Sequence, residues 1–174
     1  MQSRHRTNHF LQAAVLSLVL AFVGGCSTTT IEPKYEQPPK QHYQAIAIGS
    51  IGAGQFPEAF RSSFVERLKE SKPFAQVLDP APKTLPGSTV IFSGKLGWDH
   101  GGYIMGYGAP ASVEGHFYVK DDKGAVLAEF SIARDTGVSV RRYDDAKMAD
   151  LFHELGNDTA NAVIRWGRGD RLAP

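Results

Sequence analysis

Alternating apolar and polar positions mark the middle of the chain as β structure. Apolar side chains recur at alternate positions, with few exceptions, in three segments, 89–99, 111–119 and 125–133. Successive side chains of a strand point to opposite faces, so each segment is predicted to be a strand with one buried face. The linker KDDKG (120–124) has the length of a hairpin turn, and Gly124 can take a positive φ there. The last two strands are therefore expected to pair antiparallel.

A different spacing, with apolar residues every fourth position, predicts a helix before these strands. Phe60, Phe64 and Leu68 fall on one helical face above a polar face. Pro57 suits the first helical position, because its missing N–H has no partner there in any case. Pro73 is expected to end the helix.

The end of the chain carries the second predicted helix. Asp144 or Asp145 can cap it by accepting a hydrogen bond from a free backbone N–H. One apolar stripe then runs through Met148, Phe152, Leu155, Ala162, Val163 and Trp166. Gly156 and Asn157 interrupt the stripe and are expected to kink or split the helix, because a mid-helix glycine costs about 1 kcal/mol relative to alanine.

Two short apolar runs complete the predicted elements. QAIAIGSI (44–51) and FAQVL (74–78) are bounded by turn residues and are each predicted to be a short strand. The predicted order is β-α-β-β-β-β-α, in which the last three strands are antiparallel. This order predicts an α+β fold, a two-layer sandwich in which two helices cover a mostly antiparallel sheet.

The first 25 residues have the pattern of an export signal. Arg4 and Arg6 precede an apolar run of 14 residues from Phe10 to Val23, and two glycines follow. A helix that crosses the hydrocarbon core needs roughly 20 apolar residues. Residues 1–25 are therefore predicted to be a signal that is removed, and not a permanent membrane span.

Cys26, the only cysteine of the chain, follows these glycines and cannot form an intramolecular disulfide. The segment VGGC resembles the lipobox of bacterial lipoproteins, with Val23 in place of the commonest leucine and Gly24 in place of alanine or serine. The resemblance implies that Cys26 is acylated after cleavage and holds the protein on a membrane. Ser27 directly follows this cysteine. A serine there, in place of an aspartate, resembles the pattern of lipoproteins that are sorted to the outer membrane and face the periplasm. The alternative is an ordinary secretory signal with an unrelated cysteine.

Residues 26–43 are rich in threonine, proline, glutamine and charged residues and have few large aliphatic groups. This composition predicts a lipidated cysteine followed by a flexible tether, which would span roughly 50 Å if extended like polyproline. The single folded domain is predicted to occupy residues 44–174. The formal net charge of +1 provides no broad basic surface, so a nucleic-acid partner is not expected.

The stretch GGYIMGYGAP (101–110) gives the best local indication of function. It interleaves Tyr103, Ile104, Met105 and Tyr107 with glycines and contains no charge. Large apolar groups on a hairpin tip are typical of a surface that binds a partner or a membrane. We therefore predict that these four residues bind a partner; the alternative is that they fold back and complete the core.

The order of the elements, following a lipobox and including this loop, resembles an uncharacterised family of small bacterial lipoproteins with a glycine-and-aromatic loop. It also loosely resembles the α+β modules of the curli-secretion lipoprotein and of the lipoproteins that activate penicillin-binding proteins. The resemblance covers residues 45–170. It implies a non-enzymatic protein that binds another envelope component or associates with itself.

Enzymatic alternatives rest on weaker patterns. Asp99 and His100, with Ser112 and His116, flank the loop and support the alternative of a periplasmic hydrolase or small-ligand binder, although no GxSxG motif accompanies them. The histidines beyond the signal lack metal-ligand spacing, so no metal is expected. The glycines of IGSIGAGQF (48–56) follow the pattern GxxGxG instead of the dinucleotide-binding GxGxxG, so no cofactor is expected.

Overall fold

The computed structural model describes residues 28–39, 42–52, 54–104, 107–137 and 144–172. The predicted signal (1–25) and Cys26 lie outside the described residues. No helix in the described part of the chain is long and apolar enough to cross a membrane.

A six-stranded sheet and two helices make up most of the described structure. Along the chain the elements are β1 (Thr28–Glu36), β2 (Ala45–Ile48), α1 (Gln55–Ser71), β3 (Gln76–Leu78), β4 (Thr89–Asp99), β5 (Gly102–Ile104), β6 (Tyr107–Ala109), β7 (Ser112–Lys120), β8 (Val126–Asp135) and α2 (Asp145–Gly167). The large sheet has the strand order β1-β8-β7-β4-β2-β3, and β5 pairs with β6 separately.

The pairing directions confirm the predicted α+β class. β4, β7 and β8 pair antiparallel as expected, whereas β2 is parallel to both β3 and β4. The turn between β7 and β8 is closed by a hydrogen bond from the Gly124 N–H to the Asp121 carbonyl, and Gly124 has φ 85°. Strand β1 and the small β5–β6 hairpin are additions to the predicted order.

Residues 28–36, predicted to belong to a flexible tether, instead form the edge strand β1, so that prediction was wrong. Ile31 lies opposite Ile132 of β8 and packs against the core. The Trp166 indole N–H then donates to the Gln37 carbonyl oxygen at 2.8 Å. An edge strand buries only a few side chains, so a polar composition does not exclude one, and the run of β-branched threonines favours extended backbone.

Helix α1 begins after Gly54 and ends close to where the sequence predicted. Pro57 is its third residue and not its first, a position where the backbone N–H is still free of an intrahelical partner. At the other end, Lys72 adopts a left-handed conformation with φ 49° directly before Pro73. A proline disfavours the right-handed helical conformation in the residue that precedes it, which explains the stop.

Helix α2 is continuous, so of the kink or split predicted at Gly156 and Asn157 the split was wrong. Asp144 caps it, as one of the two predicted alternatives, by accepting a hydrogen bond from a first-turn N–H. Gly156 lies where α2 crosses α1: a methyl group there would overlap the Ser63 hydroxyl and come within 2.5 Å of the Phe60 carbonyl oxygen. The glycine therefore permits close helix packing, which compensates for its low helix propensity.

Stacked phenylalanine rings form the centre of the core between the helices and the sheet. The ring centroids of Phe60 and Phe117 are 5.3 Å apart, and those of Phe64 and Phe92 are 4.3 Å apart. The ring of Phe117 occupies the space where a side chain at Gly94 would lie. Small residues on the sheet thus let large rings lie flat against it.

Candidate functional site

The glycine-aromatic loop forms a short hairpin between β4 and β7. In it, Tyr103 pairs with Gly108 and Ile104 pairs with Tyr107. Met105, and the side chains of the other predicted contact residues, lie outside what the structure describes. The structure has a short hairpin at this position, and the binding role of Tyr103, Ile104, Met105 and Tyr107 stays a prediction.

One row of residues defines the end of the sheet from which this hairpin emerges. Thr28, Asp135, Ser112 and Asp99 lie side by side across β1, β8, β7 and β4. Adjacent strands are about 4.8 Å apart, so Thr28 and Asp99 are separated by roughly 14 Å across the row. We call this row, together with β5 and β6, the hairpin end of the sheet. The opposite end, which carries the turn at 121–125, is the turn end.

An aromatic cluster lies at the hairpin end. Trp98, one residue before the row, has 49% of its surface exposed. Its ring packs edge-on against Phe56 of α1 and Phe152 of α2, at centroid distances of 5.5 and 5.7 Å. Phe56 and Phe152 stack on each other at 5.4 Å. The two helices thus support the indole from one side while its other side is open to solvent.

Asp99 and His100, the pair behind the hydrolase alternative, make separate contacts. Asp99 Oδ1 accepts a hydrogen bond from the Gly101 N–H at 2.8 Å. His100 packs edge-on against Phe56, and its Nε2 lies 3.7 Å from Asp145 Oδ1. Among the described contacts, none connects this pair to His116. Asp99 shapes the start of the hairpin, and His100 connects it to the beginning of α2.

A chain of polar side chains that sequence reasoning missed lies on the sheet face opposite the helices. His116 Nδ1 is 3.0 Å from Ser131 Oγ, and its Nε2 is 3.1 Å from Glu129 Oε1. A serine, a histidine and a carboxylate in contact also occur in hydrolases, which additionally need free N–H donors for an oxyanion. Here β7 and β8 each have a strand on both sides, so their N–H groups serve the sheet.

A shallow groove of about 460 Å³ runs beside this chain across the same open face. Gly97 and Ala133 form part of its floor, and Glu32 and Glu114 are among the charged residues that line it. Period-two alternation marks these positions as facing away from the core. Which of these side chains contact one another depends on the register in which the strands pair. The sequence could not predict the whole groove, because it did not predict β1, which contributes Glu32 to its lining.

Arg134 connects the edge of the sheet to helix α2. Its guanidinium lies 2.7 Å from Asp158 Oδ2 and 2.7 Å from Glu154 Oε2. Thr29 of β1 donates to the same Asp158 oxygen at 2.8 Å and accepts a hydrogen bond from Arg134 at 2.8 Å. The network holds β1, β8 and α2 together and has a structural role.

The glycine-rich turn before α1 is held at its start by hydrogen bonds to the rest of the domain. Gly52 and Gly54 have φ values of 119° and 117°, which a glycine adopts without strain. The Arg61 guanidinium donates to the Gly49 carbonyl oxygen at 3.3 Å and forms an ion pair with the Asp79 carboxylate. These contacts explain the turn as a structural connection between β2 and α1.

The titratable groups give little further indication of chemistry. Burial, and then the negative charges of Asp121 and Asp122, raise the pKa of Tyr43 above its ordinary value of 10.0. This tyrosine lies at the turn end and stacks on Trp166 at 6.2 Å. Within the described residues, no group of three or more histidine, cysteine, aspartate or glutamate side chains could hold a metal ion.

Comparison with known proteins identifies the fold. No family model matches the chain, and no curated protein matches it. A solved PelC dodecamer from Paraburkholderia phytofirmans is similar to it, with 18% identity, a TM-score of 0.52, and coverage of 84% of this chain and 99% of that one. The fold is that of PelC. A protein from Caulobacter crescentus that is described as a putative lipoprotein is a more distant neighbour, with 13% identity, a TM-score of 0.37, and coverage of 71% of this chain and 92% of that one.

Proposed function

We propose that this chain is a lipoprotein of the outer membrane whose domain faces the periplasm and binds another envelope component or further copies of itself. We further propose that it has no catalytic activity of its own. The observation that carries the proposal is the position of β1 relative to the VGGC segment. Cys26 comes two residues before Thr28, where the sheet begins. Because a chain extends at most about 3.6 Å per residue, the sheet starts within about 7 Å of the acylated residue.

This short connection restricts which partners the domain reaches. A tether of roughly 50 Å would let the domain sample the periplasm, whereas two residues hold it at the bilayer surface. Its partners are therefore expected in the same membrane or directly at its surface. The open sheet face with its groove and the hairpin end offer two different surfaces for them.

Self-association has support from the fold comparison. The PelC structure that shares the fold is a dodecamer. Lipid anchors confine all copies to one plane, which raises their effective concentration and favours assembly through weak contacts. Cross-linking of the lipidated protein in membranes, followed by electrophoresis, measures the number of copies; a protein that stays monomeric at every concentration would contradict self-association.

Replacing Cys26 by serine tests the anchor. The variant has no cysteine to acylate, so we expect it to remain uncleaved by the lipoprotein pathway or to be released as a soluble protein. The acyl chains that it lacks would contribute about 0.8 kcal/mol of membrane-binding free energy for each buried CH₂. Membrane fractionation and gel mobility measure the outcome. The matched control Ser27→Ala leaves the acylated residue intact and should fractionate like the natural chain. A Cys26→Ser protein with unchanged fractionation and mobility would disprove lipidation.

The sorting step has its own test. Ser27→Asp introduces an aspartate directly after the acylated cysteine, where the natural chain has none. We expect this variant to stay lipidated but to move to the inner membrane, and separation of the two membranes on a density gradient measures the shift. If the natural chain already fractionates with the inner membrane, the outer-membrane assignment is wrong while lipidation stands.

The binding function is separable from the hydrolase alternative by two matched sets of substitutions. One set changes Tyr103, Met105 and Tyr107 to serine, and the other changes Asp99 to asparagine and His100 to glutamine. Pull-down of envelope proteins with the lipidated chain is expected to fail with the first set and to persist with the second, when both retain normal thermal stability. Loss of function confined to the second set would contradict the binding hypothesis.

A further inference from the structure

We propose that the open face of the sheet, which lies opposite the helices, pairs with the same face of a second copy of this chain. The two copies are related by a two-fold axis that runs parallel to the strands, between β7 and β8. This inference rests on the proposed self-association and names the surface that carries it. Another envelope protein on the same face is the alternative, and the experiments below distinguish the two.

The strand register arranges the side chains of this face in rows that cross four strands. One row contains, from β1 to β4, Glu32, Ser131, His116 and Lys95. Adjacent strands are about 4.8 Å apart, so roughly 14 Å separate the acidic end of the row from its basic end. The two-fold axis exchanges the ends of the row. Lys95 of each copy therefore lies opposite Glu32 of the other copy.

The next row toward the turn end is also complementary to itself. It contains Tyr35, Glu129, Tyr118 and Ser93. The axis places the Tyr118 hydroxyl opposite the Glu129 carboxylate of the second copy, to which it can donate a hydrogen bond. Tyr35, which is 42% exposed, lies opposite Ser93, a small residue that leaves room for the ring. Tyrosine is enriched in protein interfaces because it combines a large apolar ring with a polar hydroxyl.

The row on the other side, toward the hairpin end, keeps like charges apart. It contains Thr30, Ala133, Glu114 and Gly97, so three of its four residues are small. The Glu114 side chain leans over Gly97, 3.0 Å from where a Cβ atom would lie there, and thus away from the axis. The Glu114 carboxylates of the two copies are thereby separated, and each lies on the side of the strand that carries Lys95. Small residues in this row let the two sheets approach to the usual distance of about 10 Å.

Three further carboxylates lie on this face, and each has a hydrogen-bond partner within its own chain. These bonds join Glu129 to the His116 ring, Asp99 to the Gly101 N–H and Asp135 to the Gly137 N–H. Their oxygens are thus partly satisfied within each copy, which lowers the cost of removing them from water.

Lys95 and Glu32 are available for contacts between copies. Within the described residues, Lys95 has no ion-pair partner, and Glu32 pairs only with Lys34, at 3.7 Å. Both side chains of that pair are more than half exposed, and an exposed ion pair contributes little to stability. Contact between two faces excludes water around Lys95 and Glu32, which strengthens their attraction.

The size of the face predicts a weak contact that the membrane strengthens. Four strands by four rows cover roughly 400 Å² of each copy, about half of what a stable interface buries on each partner. Because the axis is parallel to the strands, Thr28 lies at the same end of both copies, and both lipid anchors reach one bilayer. Confinement to one plane raises the effective concentration. The lipidated chain in vesicles is therefore the form in which we expect the pairing.

A thiol cross-link in phosphatidylcholine vesicles tests the arrangement. Because Cys26 is blocked by its lipid, Ala133→Cys introduces a single free thiol, at an exposed position near the middle of the face. The axis and the spacing of packed sheets place the two Cα atoms at position 133 about 11 Å apart. A bismaleimide of matching length should therefore join two copies. Lys69→Cys, on the exposed side of α1, is the matched control and should stay monomeric.

Charge reversal identifies the residues that face each other. With Lys95→Glu added to Ala133→Cys, both contacts between the copies become repulsive, so the yield of linked dimer should fall about tenfold. Adding Glu32→Lys as well exchanges the two charges and should restore the yield. Lys69→Glu changes the net charge by the same amount as Lys95→Glu, but on α1, and should leave the yield unchanged.

Self-association and this pairing fail in different ways. If amine cross-linking of the lipidated natural chain gives monomers alone, self-association is wrong, and the pairing is wrong with it. If the natural chain forms oligomers but Ala133→Cys gives no thiol-linked dimer, self-association stands and the open face is not its surface.

The remaining outcomes concern the occupant and the register. If Lys95→Glu leaves the yield unchanged, or if Glu32→Lys does not restore it, the opposition of Lys95 and Glu32 is disproved. If the thiol at position 133 links the chain to a different protein in isolated outer membranes and not to a second copy, that protein occupies the face, and the pairing is disproved.

Discussion

The two faces of the large sheet differ in burial and in side-chain polarity, although the same strands form both. Along β7, Val113, Phe117 and Val119 are completely buried against the helices. Between them, His116 and Tyr118 point to the open face and remain partly exposed. The covered face is packed with rings whose positions depend on adjacent glycines, whereas the open face carries polar side chains that contact one another beside a groove.

This difference shows where stability and recognition are located in the molecule. On the covered face, space is limiting, because interiors are packed as densely as organic crystals and one added methyl group must displace something. On the open face, water satisfies polar groups and screens charges, so single contacts contribute little to stability. Substitutions on the covered side should therefore change stability, and substitutions on the open side should change binding.

Among the changes at Gly156, Arg134 and His116, the largest effect is expected from Gly156→Ala at the helix crossing of the covered side. In a helix without close neighbours, this change would stabilise by about 1 kcal/mol because alanine has the better propensity. Here the added methyl group would overlap the Ser63 hydroxyl and press on the Phe60 carbonyl. Overpacking typically costs about 1–3 kcal/mol, and an overlap with a backbone carbonyl belongs at the upper end. After subtraction of the propensity gain of about 1 kcal/mol, we expect a net loss of roughly 2 kcal/mol in urea unfolding.

Gly87→Ala is the matched control for that change. A methyl group at Gly87 has no atom within 4 Å, and the residue does not need a positive φ. Its stability should stay within about 0.5 kcal/mol of the natural chain. A Gly156→Ala protein that is as stable as the control, or more stable, would show that the helices separate at little cost and that their close approach does not limit packing.

An intermediate effect is expected from Arg134→Gln at the border between the faces. Arg134 is mostly buried, and its partners Glu154 and Asp158 are half exposed and partly exposed, so solvent screens part of the interaction. We expect a loss of about 1.5 kcal/mol, between the values for exposed and buried pairs. Hydrogen exchange in β1 should become faster than in the natural chain, because Thr29 loses the hydrogen bond that Arg134 donates and keeps only its bond to Asp158.

Arg168→Gln serves as the control for the loss of a positive charge. The Arg168 guanidinium is exposed and donates to the Ser71 carbonyl oxygen at 3.4 Å. Its removal should leave unfolding and the exchange of β1 unchanged. If both arginine variants lose the same stability, the effect reflects overall charge, and the link between β1 and α2 contributes nothing specific.

Much of the covered side could be predicted from the sequence, because burial imposes a period on the residues. The spacing of Phe60, Phe64 and Leu68, and the alternation around Phe92 and Phe117, directly reflect which face is packed. Gly156 was misjudged for a related reason. Local propensity treats a glycine as a weakness of its own helix, whereas here the neighbouring helix requires it.

The edge strand and the open face were less predictable. β1 has a polar composition typical of a linker, and its pairing with β8 depends on contacts more than 90 residues away along the chain. The sequence also did not show that His116 meets Ser131 and Glu129, because these contacts depend on the exact register of the β7–β8 hairpin. It did predict the chemical character of the 101–110 loop and the fate of Cys26, and those predictions depend on the experiments proposed above.

The smallest effect is expected from His116→Ala on the open face. This variant tests whether the open face contributes less to stability than the covered face. The histidine is partly exposed and contacts side chains that water can also satisfy, so stability should change by less than about 0.5 kcal/mol. Phe117→Ala at the adjacent, covered position should cost about 3–5 kcal/mol under the same conditions. If His116→Ala cost more than about 1.5 kcal/mol, its contacts would hold the sheet together, and the open face would be part of the stabilising structure. If it instead left unfolding unchanged but weakened association with an envelope component, the open face would be a recognition surface distinct from the hairpin end.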